Sequence, residues 1–377
     1  MPFTKQKILP DNHGVLYDES KVPVYSLPEP LTLLNGSKVL NKNDWLEKRR
    51  REILKLFETY VYGRNPVESL KKISWKVISQ GNNYYDVAVK KYVTIFLEGI
   101  ESGPKINVEI IVPEKAGKPL PAFIVPGWMN NRKLLIKRGY ILIHFDPRKI
   151  QPDKTYDTNK NSIRNFYRPV KSQPDNWGTI AVWSWSLSRV MDYVENDPDI
   201  DSGKVCIMGL SRFGKAVMWS GAQDQRFAIV FSCESGCGGA AIIRRQFGET
   251  IKAINEKFPH WFNDNFKKFN NNVNNLPVDW HMLIALVAPR PVYIATAQED
   301  YWGDPKGAFL AGKNAEPVYG LFNKKGLCVN EMPEVDKPVG DYIAFHKRKG
   351  GHGLKKYDWM QFLNFADRHL AFIKNKK

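Results

Sequence analysis

The chain predicts an α/β fold: a mostly parallel central sheet with helices on both faces, opening with antiparallel strands. From Ala122 onward, short apolar runs alternate with helix-like stretches, the β-then-α order of a parallel sheet covered on both sides. Ahead of them stand two β-rich segments with no helix between, which suits antiparallel neighbours. The 377 residues, 43% of them hydrophobic, suffice for the core of one large domain.

Residues 1–40 are punctuated by Pro and Gly and are expected to form an extended arm over a single domain at 41–377. Asn43-Asp44 can cap a helix from Trp45 to about Tyr60, which Tyr62-Gly63-Arg64-Asn65-Pro66 ends. Tyr85–Leu97, alternating in pattern, and Lys105–Val112 are the antiparallel strands. Ala122–Val125 ends at Pro126-Gly127-Trp128, and Tyr140–Phe145 ends at Asp146-Pro147. Residues 147–175, rich in Pro, Asn, Asp and Lys, and 240–280 read as insertions that wall a cleft. Asp175-Asn176 caps a helix from Trp177 to Asn196, stopped by Asp197-Pro198. Val205–Met208, Phe227–Ser232 and Pro291–Ala297 complete the strands, and a last helix runs from Tyr357 to about Ile373.

Composition excludes several classes. No stretch approaches the about 18 apolar residues that cross a bilayer, and the opening MPFTKQKILPDNHG has no apolar signal core. The cysteines at 206, 233, 237 and 328 match neither a disulfide framework nor a zinc knuckle. The net charge of +17 would suit nucleic acid or an anionic polysaccharide. The lysines are dispersed, however, with small clusters at Lys48–Arg51, Lys347–Lys349 and Lys374–Lys377, and no recognition helix or RNA-binding motif accompanies them. Neither a nucleic-acid nor a membrane partner is expected. The charge reads as solubilising, with attraction to acidic polysaccharide a secondary benefit.

The chemistry should collect at the carboxyl ends of the strands. Gly209-Leu210-Ser211-Arg212-Phe213-Gly214-Lys215 follows the run Val205–Met208 and opens into a helix-like stretch, the setting of a nucleophile elbow. The usual glycine two residues after the serine is Phe213 here, and Gly214 comes one later. Glu234 follows the next strand, and Glu299 and Asp300 follow Pro291–Ala297. Gly350-Gly351-His352-Gly353 puts an imidazole in a glycine-rich loop near the C-terminus. Among seven histidines, His352 has the least obstructed ring. His260, His281 and His369 read as packed or capping residues, while His144 and His346 could line the cleft. The order Ser, acid, His is that of α/β-hydrolases.

The run from Gly209 to Lys215 resembles the Gly-Cys-Ser-Arg-x-Gly-Lys motif of the glucuronoyl esterases, carbohydrate esterase family fifteen. Glu234-Ser235-Gly236-Cys237-Gly238-Gly239, beginning 23 residues after the serine, resembles that family's Glu-Ser-Gly-x-Gly-Gly block. Leu286-Val287-Ala288-Pro289-Arg290-Pro291 and Gly351-His352 are similar to further blocks, and the match runs from about residue 40 to the end, closest to bacterial members. Leu210 stands where fungal members have a cysteine, so the disulfide that ties their nucleophile turn to the histidine loop is absent.

The resemblance implies an α/β-hydrolase that cleaves esters of 4-O-methyl-glucuronic acid, as between glucuronoxylan and lignin, through a serine acyl-enzyme without cofactor or metal. Ser211 would be the nucleophile and His352 the base. Glu234 is the preferred acid by the resemblance, and Asp300 is the alternative or helper. Arg212 would serve the oxyanion through its backbone N–H and its guanidinium. Lys215 and Trp302 resemble family residues that meet the sugar, and Glu249 and Trp261 lie in the segment expected to cap the pocket. A monomer is expected, secreted or periplasmic as family members are. An acetyl xylan esterase would need the same triad with a small acyl pocket. A non-catalytic carbohydrate-binding protein would have lost the serine, acid or histidine, and this chain keeps all three.

Overall fold

The computed structural model describes residues 15–65, 72–84, 87–114, 117, 119–160, 162–167 and 173–370. These residues form a ten-stranded sheet in the order β1-β2-β3-β5-β4-β6-β7-β8-β10-β9. The strands are β1 (Ser74–Tyr84), β2 (Ala88–Phe96), β3 (Lys105–Pro113), β4 (Leu120–Pro126), β5 (Ile141–Phe145), β6 (Ile200–Leu210), β7 (Ile229–Cys233), β8 (Val292–Ala297), β9 (Val339–Gly340) and β10 (Ile343–Arg348). Pairing is antiparallel from β1 through β3 to β5, parallel from β5 through β4, β6, β7 and β8 to β10, and antiparallel again at β9. This is the expected α/β sheet with its antiparallel start.

Two-residue periodicity sends alternate side chains to opposite faces. Ile124, Ile207, Val230, Ile294 and Phe345 face one core, with the helices Arg50–Phe57, Thr179–Val194, Arg212–Gln223, Trp280–Ala285 and Pro305–Gly320. Phe123, Val125, Met208, Phe231 and Tyr293 face the other, under the helices Arg132–Arg138 and Lys356–His369. Both faces are covered, and the central strands read accordingly as unbroken apolar runs.

Several boundaries moved. The first helical run spans Lys42–Asp44, Trp45–Arg49, Arg50–Phe57 and Glu58–Tyr62, with π-helical turns at Trp45–Arg49 and Glu58–Tyr62. Asn41, not Asn43, caps it, accepting from the N–H groups of Asn43 and Asp44. The helix expected from Trp177 is Thr179–Val194, with Gly178 at its N-cap. Asp175 instead pairs with Arg64. The last helix is Lys356–His369, and the expected extension to Ile373 lies outside the described residues, as do Tyr85-Asp86, the arm before Val15 and Lys374–Lys377. Residues 15–40 lie along the body: Leu16 bridges Phe247, Glu19 pairs with Arg245 and Lys306, and the Pro28 carbonyl meets His281. No described helix is long and apolar enough to cross a membrane.

Candidate active site

The sheet delivers four loops, after β6, β7, β8 and β10, to one end. β6 runs into Ser211, which has φ 58 and ψ −122, and the helix Arg212–Gln223 starts at the next residue. A non-glycine residue held at positive φ between strand and helix is the strained turn of a nucleophile elbow. The displaced glycine has a steric reason. A Cβ at Gly209 would stand 2.2 Å from the Phe213 carbonyl oxygen, and one at Gly214 would stand 2.9 Å from Cβ of Ser235. The tight approaches fall two residues before and three after the serine. Phe213, two after, has room to pack its ring against Trp183 at 5.1 Å.

Asp300 lies three residues past the end of β8 and Glu234 directly follows β7, and both carboxylates meet the same nitrogen of His352. Nδ1 lies 2.9 Å from Asp300 Oδ2 and 3.2 Å from Glu234 Oε2. Carboxylates only accept, so Nδ1 carries the proton and Nε2 is left as the basic nitrogen. The two candidate acids are therefore both brought to the histidine, Asp300 nearer. Glu234 has other commitments: its Oε1 accepts from Arg348, and its Oε2 accepts from the Gly353 N–H at 2.6 Å. The hydrogen bond to Asp300 raises the His352 pKa, with burial opposing it and the charges of Asp300 and Glu234 adding to the rise. Burial pushes the Glu234 carboxyl up to about 7, against the Gly353 N–H and the charges of Arg348 and His352. The ligand atoms of Glu234, Asp300 and His352 lie within 4.8 Å of one another, close enough for a metal ion. Arg348 already supplies the positive charge there, so the cluster is better suited to holding a proton on the imidazole.

Arg212 opens the helix, so its backbone N–H has no helical acceptor. Its guanidinium pairs with Asp153 and lies over the rings of Trp261 at 5.1 Å and Phe258 at 5.5 Å. Asp153 Oδ1 also accepts from Trp261 Nε1 at 2.7 Å and meets His260 Nε2 at 2.8 Å. Burial works against the charge on Asp153, but His260, Trp261 and Arg212 together draw its pKa down to about 2. The two segments read as cleft insertions thus meet at the nucleophile turn. Asp153 escaped the sequence reading because its partners lie 59 and 107 residues away, whereas His260 is the packed histidine expected.

Lys215 and Glu249 form a buried pair at 2.6 Å, and Lys215 Nζ also donates to the carbonyls of Ser235, at 2.7 Å, and Cys237. Trp302 is half-buried under Lys257, whose Nζ lies 5.4 Å from the ring centroid, and the Trp302 carbonyl accepts from the Glu249 N–H. Trp261 is buried, stacked on Phe258. His346 does not line the cleft: it is fully buried, between Tyr293 and Asp358.

Known proteins share the sequence and the fold of this chain. The family model described as glucuronyl esterase, fungi, matches residues 98–323. A carbohydrate esterase from an unknown prokaryotic organism is 37% identical over 95% of this chain and 93% of its own length. A glucuronoyl esterase from Solibacter usitatus superposes with a TM-score of 0.88 at 37% identity, covering 93% of this chain and 99% of that one. A promiscuous CE15 esterase from a marine bacterial metagenome gives 0.88 at 36%, covering 94% and 100%. The fold is shared with the glucuronoyl esterase catalytic domain of Hypocrea jecorina, at a TM-score of 0.69 and 23% identity over 97% of this chain and 93% of that one. With its sheet, its elbow and these relatives in agreement, the chain belongs to the glucuronoyl esterase family, carbohydrate esterase family 15, and is a carboxylic-ester hydrolase of the α/β-hydrolase fold.

Proposed function

We propose that this chain hydrolyses esters of 4-O-methyl-glucuronic acid, as in linkages between glucuronoxylan and lignin alcohols, with Ser211 as nucleophile. The observation that carries the reading is His352 Nδ1 held by Asp300 at 2.9 Å, in a molecule whose Ser211 occupies a strained elbow. Curated relatives from Schizophyllum commune and Hypocrea jecorina, named 4-O-methyl-glucuronoyl methylesterases, support the acyl side.

In this mechanism Ser211 Oγ attacks the ester carbonyl while Nε2 of His352 takes its proton. The carbonyl oxygen becomes an oxyanion, which the Arg212 N–H and guanidinium stabilise. Collapse expels the alcohol, to which His352 returns the proton. A water molecule, deprotonated by the same nitrogen, then releases the uronic acid. Asp300 and Glu234 keep the imidazole in one tautomer and stabilise its cation, with Asp300 as the nearer hydrogen-bond partner. Asp153 holds the Arg212 guanidinium at the reaction centre, backed by His260 and Trp261. The half-buried Trp302 is the residue offered to the sugar, and the buried Lys215–Glu249 pair supports the loop behind it.

The test compares the protein and its Ser211→Ala variant on a benzyl glucuronate ester and on acetylated xylan. Serine-dependent turnover of the glucuronate ester alone supports the reading. A preference for acetyl release keeps the nucleophile and overturns the substrate.

A further inference from the structure

The His352 loop is glycine-rich, with Gly350 at φ +93 and Gly353 at φ +131, so its backbone has little intrinsic preference for one shape. No disulfide ties it down either, since all four cysteines are free. Something else must fix the ring against two buried carboxylates.

Arg348, the last residue of β10, is 1% exposed and uses all five of its N–H donors. Nε donates to Asp358 Oδ2 at 2.9 Å, and Nη1 donates to the carbonyls of Lys349 and Gly351, each at 3.0 Å. Nη2 donates to the Gly353 carbonyl and to Glu234 Oε1. Its acceptors thus include the carbonyls on both sides of His352, the carboxylate after β7, and the first turn of the last helix. Asp358 is itself held: it accepts from the Lys355 N–H at 2.6 Å and meets His346 Nε2 at 2.8 Å, while His346 Nδ1 meets the Tyr293 hydroxyl at 2.9 Å.

We propose that Arg348 is a positioning residue for the hydrolysis, a noncovalent clamp whose planar fork sets where His352 stands and fixes Glu234 beside it. Asp358, with His346 behind it, orients the clamp. Lysine cannot reproduce it, because an ammonium has three donors and no fixed plane. The proposal rests on His352 being the base. Loss of activity in Ser211→Ala and His352→Ala tests that reading separately from the clamp.

The experiment measures kcat, KM and pH profiles on a benzyl glucuronate ester for Arg348→Lys and Arg348→Ala, each checked for folding by circular dichroism and thermal melting. A displacement of the base by about 1 Å is expected to lower kcat about 10²-fold in Arg348→Ala, with KM within about threefold. Added guanidinium ion should restore part of the loss. The groups facing Glu234 are Arg348, His352 and the Gly353 N–H from the β10 side, and Asp300 from the end of β8. Removing the only guanidinium among them raises the Glu234 pKa further, so Glu234 loses charge beside His352 and the acid limb of kcat/KM, which His352 sets, moves down. Arg348→Lys keeps the charge, so kcat falls about tenfold while the limb stays, and this arm decides the matter if the alanine variant does not fold. Folded Arg348→Lys with kcat within about twofold of wild type overturns the proposal. So does folded Arg348→Ala with an unmoved acid limb and no response to guanidinium.

Discussion

At Ser211, His352 and the two carboxylates, the expected effects of substitution differ in size and sign. Ser211→Ala should lower kcat at least about 10⁴-fold with little change in KM, measured by steady-state turnover. His352 acts as a base only when neutral, and its pKa is raised. The acid limb of kcat/KM therefore lies above histidine's ordinary 6.5, and activity falls as pH drops through it. Asp300→Asn removes the largest cause of that rise, so the limb should move down while kcat also falls. Glu234→Gln should cost less in kcat, and a larger loss there than in Asp300→Asn would make Glu234 the principal acid. Ser211, Glu234, Asp300 and His352 were legible in the sequence because each follows a strand or sits among glycines. Asp153 and Arg348 were not, since an ion pair between distant loops leaves no local pattern.

Among the elements, the elbow and the loop after β7 are joined by the buried Lys215–Glu249 pair. Lys215→Met would leave the Glu249 carboxylate buried without its cation, a loss of about 3–5 kcal/mol readable by denaturant unfolding. The double variant Lys215→Met/Glu249→Gln should recover much of it, which a merely additive pair would not do. The buried central strands were easy to read, being continuous apolar runs. β1 was missed because its residues are largely exposed and polar ones interrupt its pattern, with Gly81 near its end. β10 was missed because His346-Lys347-Arg348 looks like a solvated end, whereas His346 and Arg348 are buried and paired. The helix Pro305–Gly320 was hidden by Pro317 within it.

Over the whole molecule, the net charge of +17 acts at longer range than any one pair. A glucuronoxylan chain carrying free uronates should be drawn to the surface, whereas a neutral benzyl ester is not. Raising the ionic strength should therefore raise KM for the polysaccharide and leave KM for the small ester unchanged, a comparison made in one buffer series. The fold places every described thiol but one out of reach: Cys206, Cys233 and Cys237 are buried, and Cys328 is exposed. Cys328 lies in the segment whose Lys325 and Gly326 carbonyls accept from Tyr342 and Asp341, just ahead of the start of β10. That is the amino end of the parallel strands, opposite the loops that carry Ser211 and His352. A maleimide-bearing bead should therefore couple there and present the catalytic end outward, giving an oriented, reusable hydrolase without any engineered handle.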